Sequence, residues 1–249
     1  MAVRSESELI QEIERLRGEL ARREQESADK ERLLERYAAD LRETFKRERS
    51  RSQELRESYT ATVRALSNAV EARDAYTGKH AERVTAYGLE IARALQPPLA
   101  EPELEFGFLL HDIGKVAIPD AILYKPSCLT ERERALMAQH PVIGAEIVRG
   151  IEFLGEAADV VRSHHERWDG GGYPDGLAGE QIPLAARVFA VADVFDALTT
   201  DRPYRPASPL RLARQMIVAE SGTHFDPRVV EAFSSIRDQT LESIGAEIR

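Results

Sequence analysis

The stretch AARVFAVADVFDALTT, residues 185–200, decides the fold. Ala186, Ala190, Asp193 and Ala197 recur at intervals of four, three and four, which is one face of an α-helix. The period-two alternation of a strand is absent. Small residues on that face let neighbouring helices come close, and they surround a carboxylate that needs a partner once water is excluded.

The helical period extends on both sides. Val84, Gly88, Ile91 and Leu95 mark an amphipathic helix ended by Pro97-Pro98. Further helices are expected over 102–111, 131–139, 141–149, 156–165, 184–199, 209–220 and 227–236. SPLRLARQM (208–216) and DPRVVEAF (226–233) each begin with Ser or Asp before Pro, a cap residue followed by the residue favoured at the first helical position. There is no internal repeat, and the expected fold class is all-α.

Before residue 59 the character changes. Leu9, Ile13, Leu16 and Leu20 form a heptad seam that resumes at Leu34, Tyr37, Leu41 and Leu55. Arg23, Ser27, Lys30, Thr44, Glu48 and Arg51 interrupt it, and a second set, Tyr59, Val63, Leu66 and Val70, is shifted by one residue. A solitary solvated helix supported by Glu/Arg pairs is one reading. A parallel dimeric coiled coil is the expected one, because so long a helix needs burial to be stable. The expected division is therefore a coiled-coil signalling helix at 1–58 and a globular domain at 59–249.

A net charge of −9 argues against a general nucleic-acid binder or a protein of anionic membranes. The single cysteine, Cys128, excludes an internal disulfide and fits a reducing compartment. The amino terminus lacks the apolar core of a signal peptide, and no run is long and apolar enough to span a bilayer. The expected location is the cytoplasm, with no membrane and no nucleic-acid polymer as partner. Regulatory input is expected through the helix, through a protein partner, or not at all.

All six histidines lie between positions 80 and 224. His111-Asp112 ends the apolar run LEFGFLLHD (104–112), where a charged pair is costly unless it binds something. His80 lies four residues before Val84, on the face its helix buries, His140 opens another helix, and His164 and His165 close a third. Singly, each reads as a hydrogen-bonded core residue or cap. Jointly, with Asp193, they form a helical set of imidazoles and carboxylates without thiolate, which suits Fe, Mn or another first-row divalent metal. His224 falls outside the set.

The blocks HDIGK (111–115), HHERWDGGGYPDGLAGEQIP (164–183) and VADVFDALTTDRPYR (191–205) resemble the signatures of HD-GYP domains, with DAYTGKHAERV (74–84) and THFDP (223–227) matching the opening and closing segments. These domains are bacterial cyclic-di-GMP phosphodiesterases of the HD metal-hydrolase superfamily. The resemblance covers about residues 60–240 and implies an HD-type helical bundle. It also implies two metal ions: His80, His111, Asp112 and Asp193 on one, His140, His164 and His165 on the other, with Asp112 bridging. Some members carry a carboxylate four residues before the first histidine, supporting a third ion. Tyr76 stands there in this chain, so two are expected.

The implied activity is hydrolysis of cyclic di-GMP to pGpG or GMP by a hydroxide held between the metals. Lys115 would meet a phosphate oxygen, or else lie exposed at a helix end. Arg187, Gly172, Tyr173 and Pro174 would face the nucleotide, with Tyr173 stacking on guanine or simply pinning the glycine-rich loop. Asp169 would order that loop through side-chain to backbone bonds. The alternatives are a catalytically idle cyclic-dinucleotide receptor and a phosphohydrolase for a hybrid cyclic dinucleotide.

Overall fold

The computed structural model describes residues 6–73, 79–99, 102–155, 157–201 and 205–248. Tyr76 and residues 202–204 of the last signature block lie outside them. The chain divides into two compact units, Met1–Tyr59 and Thr60–Arg249.

Helix α1 runs unbroken over Glu6–Glu71. Pairs such as Glu43–Arg47 at 2.5 Å and Arg15–Glu19 at 2.6 Å support it from within. The seam residues Leu9, Ile13, Leu16, Leu20, Leu34, Tyr37, Leu41 and Leu55 are exposed, so the apolar stripe is present and uncovered. In the shifted set Val63 is buried and Leu66 is exposed; Ser67 is the buried neighbour instead, because its hydroxyl donates to the Leu109 carbonyl at 2.8 Å.

The second unit is a helical bundle with no strand among the described residues. After α1 come α2 (His80–Ala94), α3 (Pro102–Leu109), α4 (Asp120–Leu123), α5 (Glu131–Met137), α6 (His140–Arg149) and α7 (Ala157–Ser163). Helices α8 (Leu184–Thr199), α9 (Leu210–Ala219), α10 (Pro227–Ser235) and α11 (Asp238–Glu247) complete it. Helix α8 packs along α2 and touches α7 and α9; α3 lies on α2 and α7, and α6 on α7. Phe108, Phe189, Phe195, Phe225 and Phe233 fill the centre and are fully buried.

The expected helix over 184–199 forms as α8, with Ala186, Ala190 and Ala192 buried. Other ends differ for a common reason. The helices expected to reach 111 and 165 stop at Leu109 and Ser163, leaving His111, Asp112, His164 and His165 in the turns that follow. Pro227 sits at the first turn of α10 behind an Asp226 cap, whose side chain accepts from the Arg228 N–H. At α9 the expected Ser208 cap is not used: Pro209 occupies the cap position, without a side-chain bond.

Candidate metal centre

Three histidine rings are aimed by the same local device. The last four carbonyls of a helix have no partner inside it. His111 Nδ1 lies 2.9 Å from the Phe108 carbonyl at the end of α3, His140 Nδ1 2.8 Å from Met137 at the end of α5, and His164 Nδ1 2.7 Å from Val161 near the end of α7. A carbonyl only accepts, so each Nδ1 carries the proton and each Nε2 presents a lone pair. Those lone pairs converge. His140 and His164 Nε2 stand 3.2 Å apart, and one donor atom each from His140, His164 and His165 lies within 4.8 Å of the others.

Asp112 joins this group to a second one. Its Oδ1 is 3.3 Å from His140 Nε2, and its Oδ2 is 3.1 Å from His111 Nε2 and 2.8 Å from Lys115 Nζ. His80 and His111 meet edge to face at 5.5 Å, and His80 Nε2 is 3.4 Å from Asp193 Oδ1. An ion held about 2.1 Å from its donors places neighbouring donors about 3.0–3.4 Å apart. The observed separations have that length, and facing lone pairs at such range call for a cation between them. The donor set fits a metal. The structure thus brings together all seven of the expected ligands, His80, His111, Asp112, His140, His164, His165 and Asp193.

Backbone packing sets Asp112. After α3 the chain tightens into a 3-10 turn, Ile113–Ala117, rather than continuing as α-helix. Side chains three apart eclipse in such a turn, which brings Lys115 over Asp112. Gly114 makes the turn possible against α6: a β-carbon there would stand 1.9 Å from the His140 carbonyl oxygen.

Around His164 and His165 the electrostatics suit neutral imidazoles beside an anion. Burial pushes the His164 ring far below its ordinary range, with His165, His111 and His140 adding to the effect. Burial and His140 bring His165 down to about 3. Burial alone would raise the Asp112 carboxyl, but the nearby His111 and Lys115 carry it well below the usual carboxylate range.

The glycine-rich loop is fastened to the same place. Tyr173 stacks on His165 with ring centroids 4.7 Å apart and is joined to Pro174 by a cis peptide. Gly172 lets the loop fold back on the ligand strand, since a β-carbon would stand 2.6 Å from the His165 carbonyl and closer still to Glu166 and Arg167 backbone. Buried Glu166 accepts from the Asp175 N–H at 2.7 Å and the Leu177 N–H at 3.1 Å, while Asp169 accepts from the Gly171 N–H at 3.0 Å. Arg187 has its contacts elsewhere. It donates to buried Asp226 at 2.6 Å and lies over the Trp168 ring at 5.7 Å.

Sequence reasoning missed Glu166, the pairing of the cap residue Asp226 with Arg187, and two further buried charges, Asp196 and Arg83. Glu166 directly follows the histidine pair and Asp196 shares a helix face with Asp193, so position alone was the available signal.

The sequence profile of the HD domain matches residues 64–229. The cyclic di-GMP phosphodiesterase response regulator RpfG of Xanthomonas campestris is 42% identical over 89% of this chain and 57% of its own length. The 3'3'-cGAMP-specific phosphodiesterase 2 of Vibrio cholerae is 41% identical over 84% of this chain and 40% of its own, and the cyclic di-GMP phosphodiesterase PA4108 of Pseudomonas aeruginosa is 44% identical over 71% and 42%. The chain thus spans about half the length of the curated relatives it matches. A crystal structure of a cyclic GMP-AMP specific phosphodiesterase of V. cholerae superposes with a TM-score of 0.56 at 25% identity, covering 73% of this chain and 50% of that one. The chain belongs to the HD domain family, and its sequence blocks place it among the HD-GYP members.

Proposed function

We propose that this chain is a metal-dependent phosphodiesterase that opens a cyclic dinucleotide, cyclic di-GMP in the first instance, to pGpG or GMP. The observation that carries the reading is the convergence of the Nε2 lone pairs and Asp112 beside the loop pinned by Tyr173. His80, His111, Asp112 and Asp193 would hold one ion, His140, His164 and His165 the other, with Asp112 shared. Iron or manganese suits this donor set. When bound, such a pair polarises a phosphate and supplies a nucleophile at neutral pH.

The chain's own residues do the rest. Lys115, placed over Asp112, offers a cation to a non-bridging phosphate oxygen and offsets charge that develops there. Gly172, Tyr173 and Pro174 form the wall that a nucleotide base would meet. Arg187 lies over Trp168 and on Asp226, and would meet the nucleotide only with the guanidinium edge that Asp226 leaves.

Relatives of similar identity are named for cyclic di-GMP and for 3'3'-cGAMP, so the hybrid dinucleotide is the second substrate to test. Purified chain with Mn²⁺ or anaerobic Fe²⁺ is expected to convert cyclic di-GMP to linear pGpG or GMP, followed by chromatography, with 3'3'-cGAMP run alongside. Tight binding of either without turnover under any metal makes the chain a receptor instead.

Residues 1–58 serve in this proposal as a signalling helix in a cytoplasmic homodimer, with a regulatory protein as a further partner. The exposed stripe is the support for it. Changing Ile13→Asp and Leu20→Asp together in the full chain is expected to turn dimer into monomer by light scattering, since charges at seam positions oppose pairing. A dimer of undiminished stability sinks the seam.

A further inference from the structure

His80 is oriented differently from its fellow ligands. It is the first residue of α2, preceded by Lys79 in the left-handed region. His140 also opens a helix, but α5 ends just before it and lends it a carbonyl; His80 takes a different partner. Its Nδ1 instead lies 2.7 Å from Asp196 Oδ2, on α8, one turn beyond Asp193. The two carboxylates of α8 thus take the two nitrogens of one ring: Asp193 beside Nε2, Asp196 beside Nδ1.

Asp196 is 1% exposed and Arg83 7%. Arg83 grips the carboxylate with Nε to Oδ1 at 2.6 Å and Nη2 to Oδ2 at 3.1 Å, and the Thr200 hydroxyl adds a contact to Oδ1 at 3.3 Å. A structural ion pair between α2 and α8 would need only Arg83 and Asp196. Nothing in that role calls for a 2.7 Å contact to a ring whose other nitrogen faces the metal centre.

We propose that Asp196, held by Arg83, is the positioning residue of His80, fixing its tautomer and aim so that the ion on the His80–Asp193 side is bound tightly. The inference rests on the two-ion reading above. A carboxylate behind a ligating imidazole raises its basicity, and loss of such a partner costs about 10–100-fold in metal affinity. The carboxamide of Asp196→Asn keeps the size of the side chain but removes the anion.

The test is a Mn²⁺ titration of the full chain by equilibrium dialysis with elemental analysis. Asp196→Asn is expected to weaken one of two sites by about 10–100-fold and leave the other at wild-type affinity. Two sites of wild-type affinity in Asp196→Asn overturn the proposal. His80→Ala run in parallel separates the two readings: if it loses no ion, the ligand assignment itself fails, and if it loses one while Asp196→Asn does not, only the positioning role fails. Should Asp196→Asn not fold, by circular dichroism, nitrogen-15 NMR of the imidazoles in Zn²⁺-loaded wild-type chain decides. A proton on His80 Nδ1, shifted downfield as by a carboxylate, supports the role; an unprotonated Nδ1 or an unshifted proton overturns it.

Discussion

Asp112→Ala is expected to empty both halves of the proposed metal centre in one step. Among the described residues Asp112 is the carboxylate that touches both groups of imidazoles, through Oδ1 to His140 and through Oδ2 to His111. The alanine also deprives Lys115 of its contact with Asp112 and leaves the ammonium beside a cluster of imidazoles. Bound metal is expected to fall from two ions to well under one per chain, and turnover of cyclic dinucleotide by at least about 10³-fold. Elemental analysis and a turnover assay on one preparation check both. An alanine variant that keeps wild-type metal content would remove Asp112 from the shared position.

Gly114→Ala is expected to do comparable damage without touching a donor atom. A methyl group there points at the His140 carbonyl oxygen from 1.9 Å and at the Gly144 nitrogen from 2.7 Å. Both are backbone, so no rotamer change relieves the clash. The 3-10 turn must lift off the start of α6, and Asp112 leaves His140 with it. The expected cost is at least about 3 kcal/mol of stability, the upper range for overpacking a tight site. Urea unfolding monitored by circular dichroism measures it. A variant as stable as the parent and with full metal content would show that the turn can yield.

The candidate ligands were legible in the sequence because imidazole and carboxylate are rare together on apolar helical faces, and each of the seven carries that oddity locally. Helix α8 was legible from end to end because the period of Ala186, Ala190, Asp193 and Ala197 is uninterrupted. What sequence reading missed depends on distant partners. Asp196 takes its meaning from His80 and Arg83, more than a hundred positions away, and Arg187 from Asp226. The 3-10 turn at HDIGK is imposed by the approach of α6 to Gly114, not by local propensity. Helix α11 escaped notice because Leu241 is its one buried residue, too little to make a periodic pattern. The burial of Ser67 next to exposed Leu66 was hidden for a similar reason: it depends on a hydrogen bond to the Leu109 carbonyl of α3.

The two ways of aiming a ring have a consequence for how the centre comes into being. His111, His140 and His164 are each oriented by a carbonyl three residues back, so a single helix end suffices to set each of them. His140 and His164 are also only 24 residues apart. His80 waits on an aspartate 116 positions downstream, a contact that forms only after a far larger loop has closed. The centre therefore matures unevenly: the imidazole-rich side is preset by short-range structure, and the carboxylate-rich side is completed when α2 docks on α8, among the late, long-range events of folding.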